Sequence, residues 1–151
     1  MLMLAYDREF LYVAMRVPRE AGPPQDPPLT TGRQHDADLS RHDRVSIRLD
    51  IDRDYSTWYE FQVDQRGWTA ESCWEDRRWN PTWYVAAERD ETDWRVEAAI
   101  PWKDLSPTPP QPSTIYGLSV LRTTPSVGLQ SWTHPATAKT QPASFGLLKF
   151  E

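Results

Sequence analysis

The sequence predicts an all-β chain folded as an antiparallel β-sandwich, and three observations support this. Apolar residues recur at every second position through most of the 151 residues, which is the pattern of strands with one buried face. Turn-forming residues divide the chain into eight or nine short strands. The only predicted helix is a single short turn near residues 102–105, which follows a proline. Because one sheet alone leaves an apolar face uncovered, we expect two packed sheets in one domain over residues 1–151.

The first half of the chain reads as a hairpin, a long loop and a pair of strands. Residues 1–6 and 11–17 flank a polar turn, and the second run places Leu11, Val13, Met15 and Val17 on one face. Residues 18–41 contain five prolines and two glycines and predict a long irregular loop. A strand over 45–51 ends in an acidic turn, and the next strand, 59–63, alternates again.

The second half continues this pattern of short antiparallel strands. Residues 64–67 form a turn in which Gly67 takes a positive φ, and a strand over 68–74 follows. Residues 84–89 and 94–100 predict a hairpin, and 106–113, with four prolines, a loop. Strands over 117–123 and 145–150 close the domain, with a polar loop between them.

Composition narrows the classes of partner. The formal net charge of −5 argues against nucleic acid and anionic membranes, which require a concentrated basic surface. No apolar run reaches the ~18 residues of a membrane span. Cys73 is the only cysteine, so an intrachain disulfide and a cysteine-rich zinc site are excluded. The chain opens directly in a strand without a signal peptide, and we expect it to be a fragment of a longer, exported protein.

Tryptophan is the most informative residue type for function. Five of the eight tryptophans lie between positions 58 and 83. An indole offers a flat apolar face that can stack on a pyranose ring and an N–H that can reach a hydroxyl, although an inward tryptophan simply belongs to the core.

Strand alternation groups further candidate ligands. Trp58, Glu60 and Gln62 share one face of a strand, and Arg95 and Glu97 share one face of another. If these faces line one groove, they offer a ring, carboxylates and a guanidinium to sugar hydroxyls. The alternative for Arg95 and Glu97 is a cross-strand ion pair. Arg122 is in register with Leu118 and Val120, and its alternative is a charged residue at a strand end.

Catalytic and metal-binding chemistry have weaker support. Glu60 and Glu97 could serve a glycosidase if they lay roughly 5 to 9.5 Å apart, but no nucleophile elbow or phosphate-binding loop accompanies them, so we predict no enzyme. Asp36, Asp38 and Asp43 offer oxygen ligands for calcium, and Asp38 and Asp43 are the candidate calcium ligands that we predict. We expect the three scattered histidines to lie at the surface, and we expect the aspartates at 50, 52 and 54 to form a solvated turn.

A series of short motifs resembles a known family over nearly the whole chain. In order, these are residues 11–14 (Leu-Tyr-Val-Ala), 43–50 (Asp-Arg-Val-Ser-Ile-Arg-Leu-Asp), 61–64 (Phe-Gln-Val-Asp) with Gly67, Trp79 and Trp83, 94–102 (Trp-Arg-Val-Glu-Ala-Ala-Ile-Pro-Trp), Arg122, 131–132 (Ser-Trp) and 145–146 (Phe-Gly). This order is similar to that of family 9 carbohydrate-binding modules. The resemblance implies a jelly-roll-like sandwich within a larger polysaccharide-handling protein outside the cell or in the periplasm. It implies no required cofactor, and any calcium bound to such a module is expected to be structural.

The resemblance does not carry over an intact sugar site. The two tryptophans that clamp sugar in the family correspond to Ser40 and Lys139, a family glutamate to Ser46, and an arginine and an asparagine to Gln62 and Asp64. Trp74, Trp79 or Trp132 could supply a replacement stacking surface.

Of three functions considered, we predict the first. The first is non-catalytic carbohydrate binding, with stacking by Trp58, Trp79 or Trp132 and hydrogen bonds from Glu60, Gln62, Arg95, Glu97 and Arg122. The second is a structural or protein-interaction domain that has lost its sugar site. The third is a b-type haem domain, but core packing already explains Met15, its candidate ligand.

Overall fold

The computed structural model describes residues 1–19, 34–125 and 127–151, and these form two antiparallel sheets packed face to face. The strands are β1 (Leu2–Tyr6), β2 (Phe10–Pro18), β3 (Arg44–Asp50), β4 (Tyr59–Asp64), β5 (Thr69–Cys73), β6 (Tyr84–Arg89), β7 (Asp93–Pro101), β8 (Ile115–Thr124), β9 (Gly128–Ser131) and β10 (Gly146–Lys149). The predicted all-β antiparallel sandwich is confirmed.

The two sheets differ in size and in the strands at their edges. The four-stranded sheet has the order β1-β2-β7-β6. The six-stranded sheet has the order β10-β8-β3-β4-β5, and β9 pairs with β8 further along the edge that also binds β10. Both predicted hairpins, β1–β2 and β6–β7, are present.

The core lies between the sheets and follows the alternation of the sequence. Leu11, Ile47, Phe61 and Ile100 come from four different strands, and each is at most 1% exposed. Burying such a side chain stabilises the fold by about 1.5 to 3 kcal/mol. Met15 is 6% exposed and belongs to the same apolar cluster, so its role is packing, as the sequence indicated.

The short helical turns and one edge strand differ in part from what the sequence predicted. The predicted helical turn is a 3₁₀ turn at Trp102–Asp104, but a second one, at Pro142–Ser144, was not predicted. Strand β9 lies where we expected only a polar loop, because its four residues lack a clear apolar alternation. Residues 20–33, most of the predicted long loop, lie outside the described residues. Within the described ranges, no helix is long and apolar enough to cross a membrane.

Candidate functional site

The outward face of the six-stranded sheet carries polar side chains from three adjacent strands. On β4, Phe61 points into the core, and Glu60 and Gln62 point away from it, as the alternation predicted. The strand register places Gln62 opposite Ser46 on β3 and opposite Ala70 on β5. Functional groups distant in sequence therefore meet on one surface.

A cavity of about 190 Å³ on this face forms what we call the β4–β5 groove. Its lining residues are Glu60, Gln62, Ala70, Glu71, Ser72, Glu75 and Arg77. Oε1 of Glu60 accepts a hydrogen bond of 2.8 Å from Nε of Arg48, its cross-strand neighbour, which compensates part of that negative charge. The half-buried Gln62 amide makes no hydrogen bond within the described ranges, so its donors and acceptor remain available.

A two-residue turn immediately after β5 presents Trp74 to solvent beside this groove. Cys73 and Asp76 exchange backbone hydrogen bonds of 3.1 and 2.8 Å, and the residues between them have positive φ angles of 50° at Trp74 and 66° at Glu75. Two consecutive left-handed residues define a type I′ turn, which asparagine and glycine normally occupy. Bulky residues in this conformation are strained, and such strain concentrates at functional sites.

Exposure makes Trp74 the stacking candidate at this end of the sheet. Its side chain is 65% exposed, whereas Trp58, which we predicted to stack, is only 8% exposed. The carbonyl of Trp58 accepts a 2.8 Å hydrogen bond from the Trp74 backbone N–H. The prediction that Trp58 offers its ring to a ligand is therefore wrong, and its position instead supports the Trp74 turn.

Arg95 and Glu97 share a face, as predicted, but on the other side of the sandwich. They lie on the outward face of the four-stranded sheet, so they cannot line one groove with Glu60 and Gln62. The Arg95 guanidinium contacts Glu88 at 3.0 Å and Asp90 at 2.7 Å. Arg95 thus serves in a surface ion-pair network, the alternative that the sequence left open.

Arg122 and Asp43 form an ion pair that closes one end of the sandwich. Nε and Nη2 of Arg122 donate to the two carboxylate oxygens of Asp43 at 2.9 and 2.7 Å. The Asp43 carboxylate also accepts the indole N–H of Trp94 at 3.1 Å. Both ionic side chains are about one-tenth exposed. The Asp43 carboxylate is therefore occupied, which contradicts a metal-ligating role for it. Arg122 borders the same cavity as Trp132, but two of its guanidinium nitrogens are bound to Asp43, so its role as a sugar ligand stays a prediction.

The other two predicted stacking residues, Trp79 and Trp132, lie in different environments. Trp79 packs against Tyr59 and Phe61 with ring centroids 5.0 and 5.5 Å apart, so it covers the core rather than a ligand. Trp132 is 54% exposed and borders a separate cavity of about 270 Å³ between β1 and β9. Apolar side chains, including Leu2 and Met15, contribute much of that cavity's wall.

Two of the five positions that the resemblance relates to ligand-binding residues of family 9 modules, Ser46 and Asp64, are buried in the fold. Ser46 is 2% exposed on β3. Both carboxylate oxygens of Asp64 accept hydrogen bonds from Arg66 in the β4–β5 turn. Ser40 and Lys139 are exposed in the loops before β3 and before β10. Gln62, whose amide makes no hydrogen bond among the described residues, is the one of these positions that lines the β4–β5 groove.

Candidate metal ligands occur in two groups within the described residues, and neither contains Asp38 or Asp43. One group is Asp50, Asp52 and Asp54, where the buried Asp50 accepts backbone N–H groups on both oxygens, which accounts for it without a cation. The other group is His35, Asp36 and Glu71. The exposed Asp38 instead accepts the Ser40 backbone N–H at 2.9 Å.

Sequence reasoning missed the residues that complete the β4–β5 groove. Ser72, Glu75 and Arg77 border the groove, and none of them was among the predicted ligand-binding residues. Trp74, which precedes Glu75, was named only as one of three replacement stacking surfaces. The turn that arranges them lacks the Asn-Gly or Asp-Gly signal of a type I′ hairpin. Strand alternation ending at Trp74 was the only available signal.

The fold is similar to that of three solved structures. A family 9 carbohydrate-binding module of Caldicellulosiruptor kristjanssonii in complex with glucose superimposes with a TM-score of 0.69 at 20% identity, over 99% of this chain and 75% of that one. Its complex with cellotriose gives 0.64 at 20% identity, over 98% and 72%. A Bacteroides uniformis protein assigned to carbohydrate binding gives 0.65 at 14% identity, over 95% and 74%. No family model and no curated protein matches the sequence.

Proposed function

We propose that this chain binds carbohydrate, without catalysing a reaction, at the β4–β5 groove with Trp74 as the stacking residue. The observation that carries the proposal is the strained turn, in which the 65% exposed Trp74 directly precedes Glu75, a lining residue of the polar groove. The fold adds support, because the similar structures are modules complexed with glucose and cellotriose.

The chemistry of the groove suits a sugar ring. The indole face removes the apolar C–H side of a pyranose from water, which provides most of the affinity. The Gln62 amide can donate to one hydroxyl and accept from another, and Glu75 and Arg77 add an exposed carboxylate and guanidinium. A single open platform of this kind predicts dissociation constants between micromolar and millimolar.

Isothermal titration with glucose and cellotriose, followed by a glycan array for other sugars, tests this function. Trp74→Ala and Gln62→Ala should each weaken binding at least tenfold. Trp132→Ala is the matched control, since it removes an indole of comparable exposure elsewhere and should leave binding unchanged.

Two outcomes would contradict the proposal. Loss of binding in Trp132→Ala but not in Trp74→Ala would move the site to the cavity between β1 and β9. Silence of the folded chain across the array would favour a protein-interaction domain, for which the exposed tryptophans would be partner contacts. The expectation that the chain belongs to a larger exported polysaccharide-handling protein stays a prediction.

A further inference from the structure

We propose that His35, Asp36 and Glu71 bind one divalent cation of zinc-like chemistry, which fastens the loop before β3 to the edge strand β5. The proposal does not rest on carbohydrate binding, although Glu71 also borders the β4–β5 groove. It lies at the edge of the six-stranded sheet, and its three side chains come from the 34–43 loop and from β5.

The three side chains already converge. One ligand atom from each lies within 4.8 Å of the others. Nε2 of His35 is 3.1 Å from Oε2 of Glu71, close to the roughly 3.4 Å that separates two ligand atoms around a tetrahedral zinc ion with bonds of about 2.1 Å. Asp36 Oδ2 lies 3.5 Å from Nδ1 of His35, on the other side of the ring from Glu71, so this 48% exposed side chain must rotate to reach the cation.

The buried carboxylate of Glu71 is the second observation that indicates a ligand. Its side chain is 0% exposed, and Oε2 accepts no hydrogen bond from the described residues, although His35 stands beside it. Oε1 is occupied, because it accepts the indole N–H of Trp83. A buried carboxylate oxygen without a hydrogen bond is costly. A bound cation would remove this cost.

The backbone holds the loop in place for this role. The Thr69 N–H donates to the Gln34 carbonyl at 3.1 Å, and the Ala37 N–H donates to the Thr69 carbonyl at 3.0 Å. Residues 34–37 therefore lie along β5 before any cation binds. Asp36 has a positive φ of 54°, a conformation that aspartate tolerates better than most residues.

The donor set selects the class of cation. One imidazole nitrogen and two carboxylates suit zinc and similar transition metals, with water as a fourth ligand. Calcium takes six to eight oxygen ligands, more than these three side chains supply. The competing explanation is a protonated His35 held between two carboxylates, which needs no metal.

Titration of the untagged, EDTA-treated chain with ZnCl₂ tests the proposal by calorimetry and thermal denaturation. We expect one site per chain and a rise in Tm of about 5 to 10 °C when free zinc exceeds the dissociation constant a hundredfold. His35→Gln and Glu71→Gln should each weaken zinc binding at least tenfold. His134→Gln, which removes an exposed histidine outside the cluster, should bind zinc like the wild type.

Other results would overturn the proposal. These are the absence of saturable zinc binding, zinc binding that survives His35→Gln, or saturable binding of calcium in place of zinc. Because Glu71 is buried, the Glu71→Gln result counts only when circular dichroism shows a folded chain. The His35 side chain is 43% exposed, so His35→Gln tests the site without disturbing the core. Substitution with Co²⁺ gives a second readout, since a tetrahedral site develops visible absorption that His35→Gln should abolish.

Discussion

Because the turn at Trp74 and Glu75 is strained, we predict that substitutions there can stabilise the chain while weakening the proposed carbohydrate binding. Glycine adopts a positive φ freely and asparagine more readily than other residues, so the double change Trp74→Asn with Glu75→Gly fits the observed backbone angles of 50° and 66°. Little apolar burial is lost, because Trp74 is 65% exposed.

The expected gain follows from the conformational costs. A left-handed residue with a side chain costs about 1 to 2 kcal/mol, and the greater freedom of glycine in the unfolded chain returns about 0.5 to 1 kcal/mol of this. The net stabilisation should be about 1 to 2 kcal/mol. For a chain of 151 residues this corresponds to a rise in Tm of about 3 to 6 °C.

Thermal and urea denaturation measure the gain, and titration with the sugar found on the array measures the loss of binding. Glu97→Gly is the matched control, because Glu97 is also exposed but lies within β7. It should destabilise the chain by about 0.5 to 1 kcal/mol. If the double variant is destabilised as much as Glu97→Gly, the turn is not strained. If it is stabilised yet still binds sugar, Trp74 is not the platform.

Three other substitutions probe the fold. Arg122→Met should cost about 3 to 5 kcal/mol in urea denaturation, because it leaves Asp43 buried without its cation; a loss below 1 kcal/mol would contradict this. Gly146→Ala places a Cβ 2.8 Å from the Trp132 ring and should cost about 1 to 3 kcal/mol, most of which should disappear in a Trp132→Ala background. In EDTA, the stability contributed by Glu71 should be present at low pH and be lost as pH rises above 4.5 through its raised pKa, and Glu71→Gln should remove that dependence.

Features set by neighbouring residues could be predicted from the sequence. The alternation on β2 and β4 assigned the correct inward residues, and the turn before β5 has Gly67 at a φ of 77°, as expected. These features depend only on the two-residue period of a strand and on the conformational freedom of glycine. The 3₁₀ turn at Trp102–Asp104 followed from the proline before it.

Features set by long-range pairing could not be predicted. The two partners Asp43 and Arg122 are 79 positions apart, and nothing local to Arg122 indicates that its guanidinium turns into the end of the sandwich. Similarly, alternation grouped Arg95 with Glu97 and Glu60 with Gln62, but it cannot tell which sheet each strand joins. Only the strand order places these two pairs on opposite surfaces of the molecule.

The contrast between those two surfaces supports our proposal that a ligand binds on the six-stranded sheet. On the four-stranded sheet, Arg95 is neutralised by Glu88 and Asp90, and Arg16 donates to Asp93 at 2.8 Å. A sugar hydroxyl would have to compete with charge-assisted hydrogen bonds there, which are stronger than those it could offer. In the β4–β5 groove, Gln62 has no such partner among the described residues, so a hydroxyl displaces only water. Substitutions of the paired charges should therefore change stability, whereas substitutions in the groove should change binding.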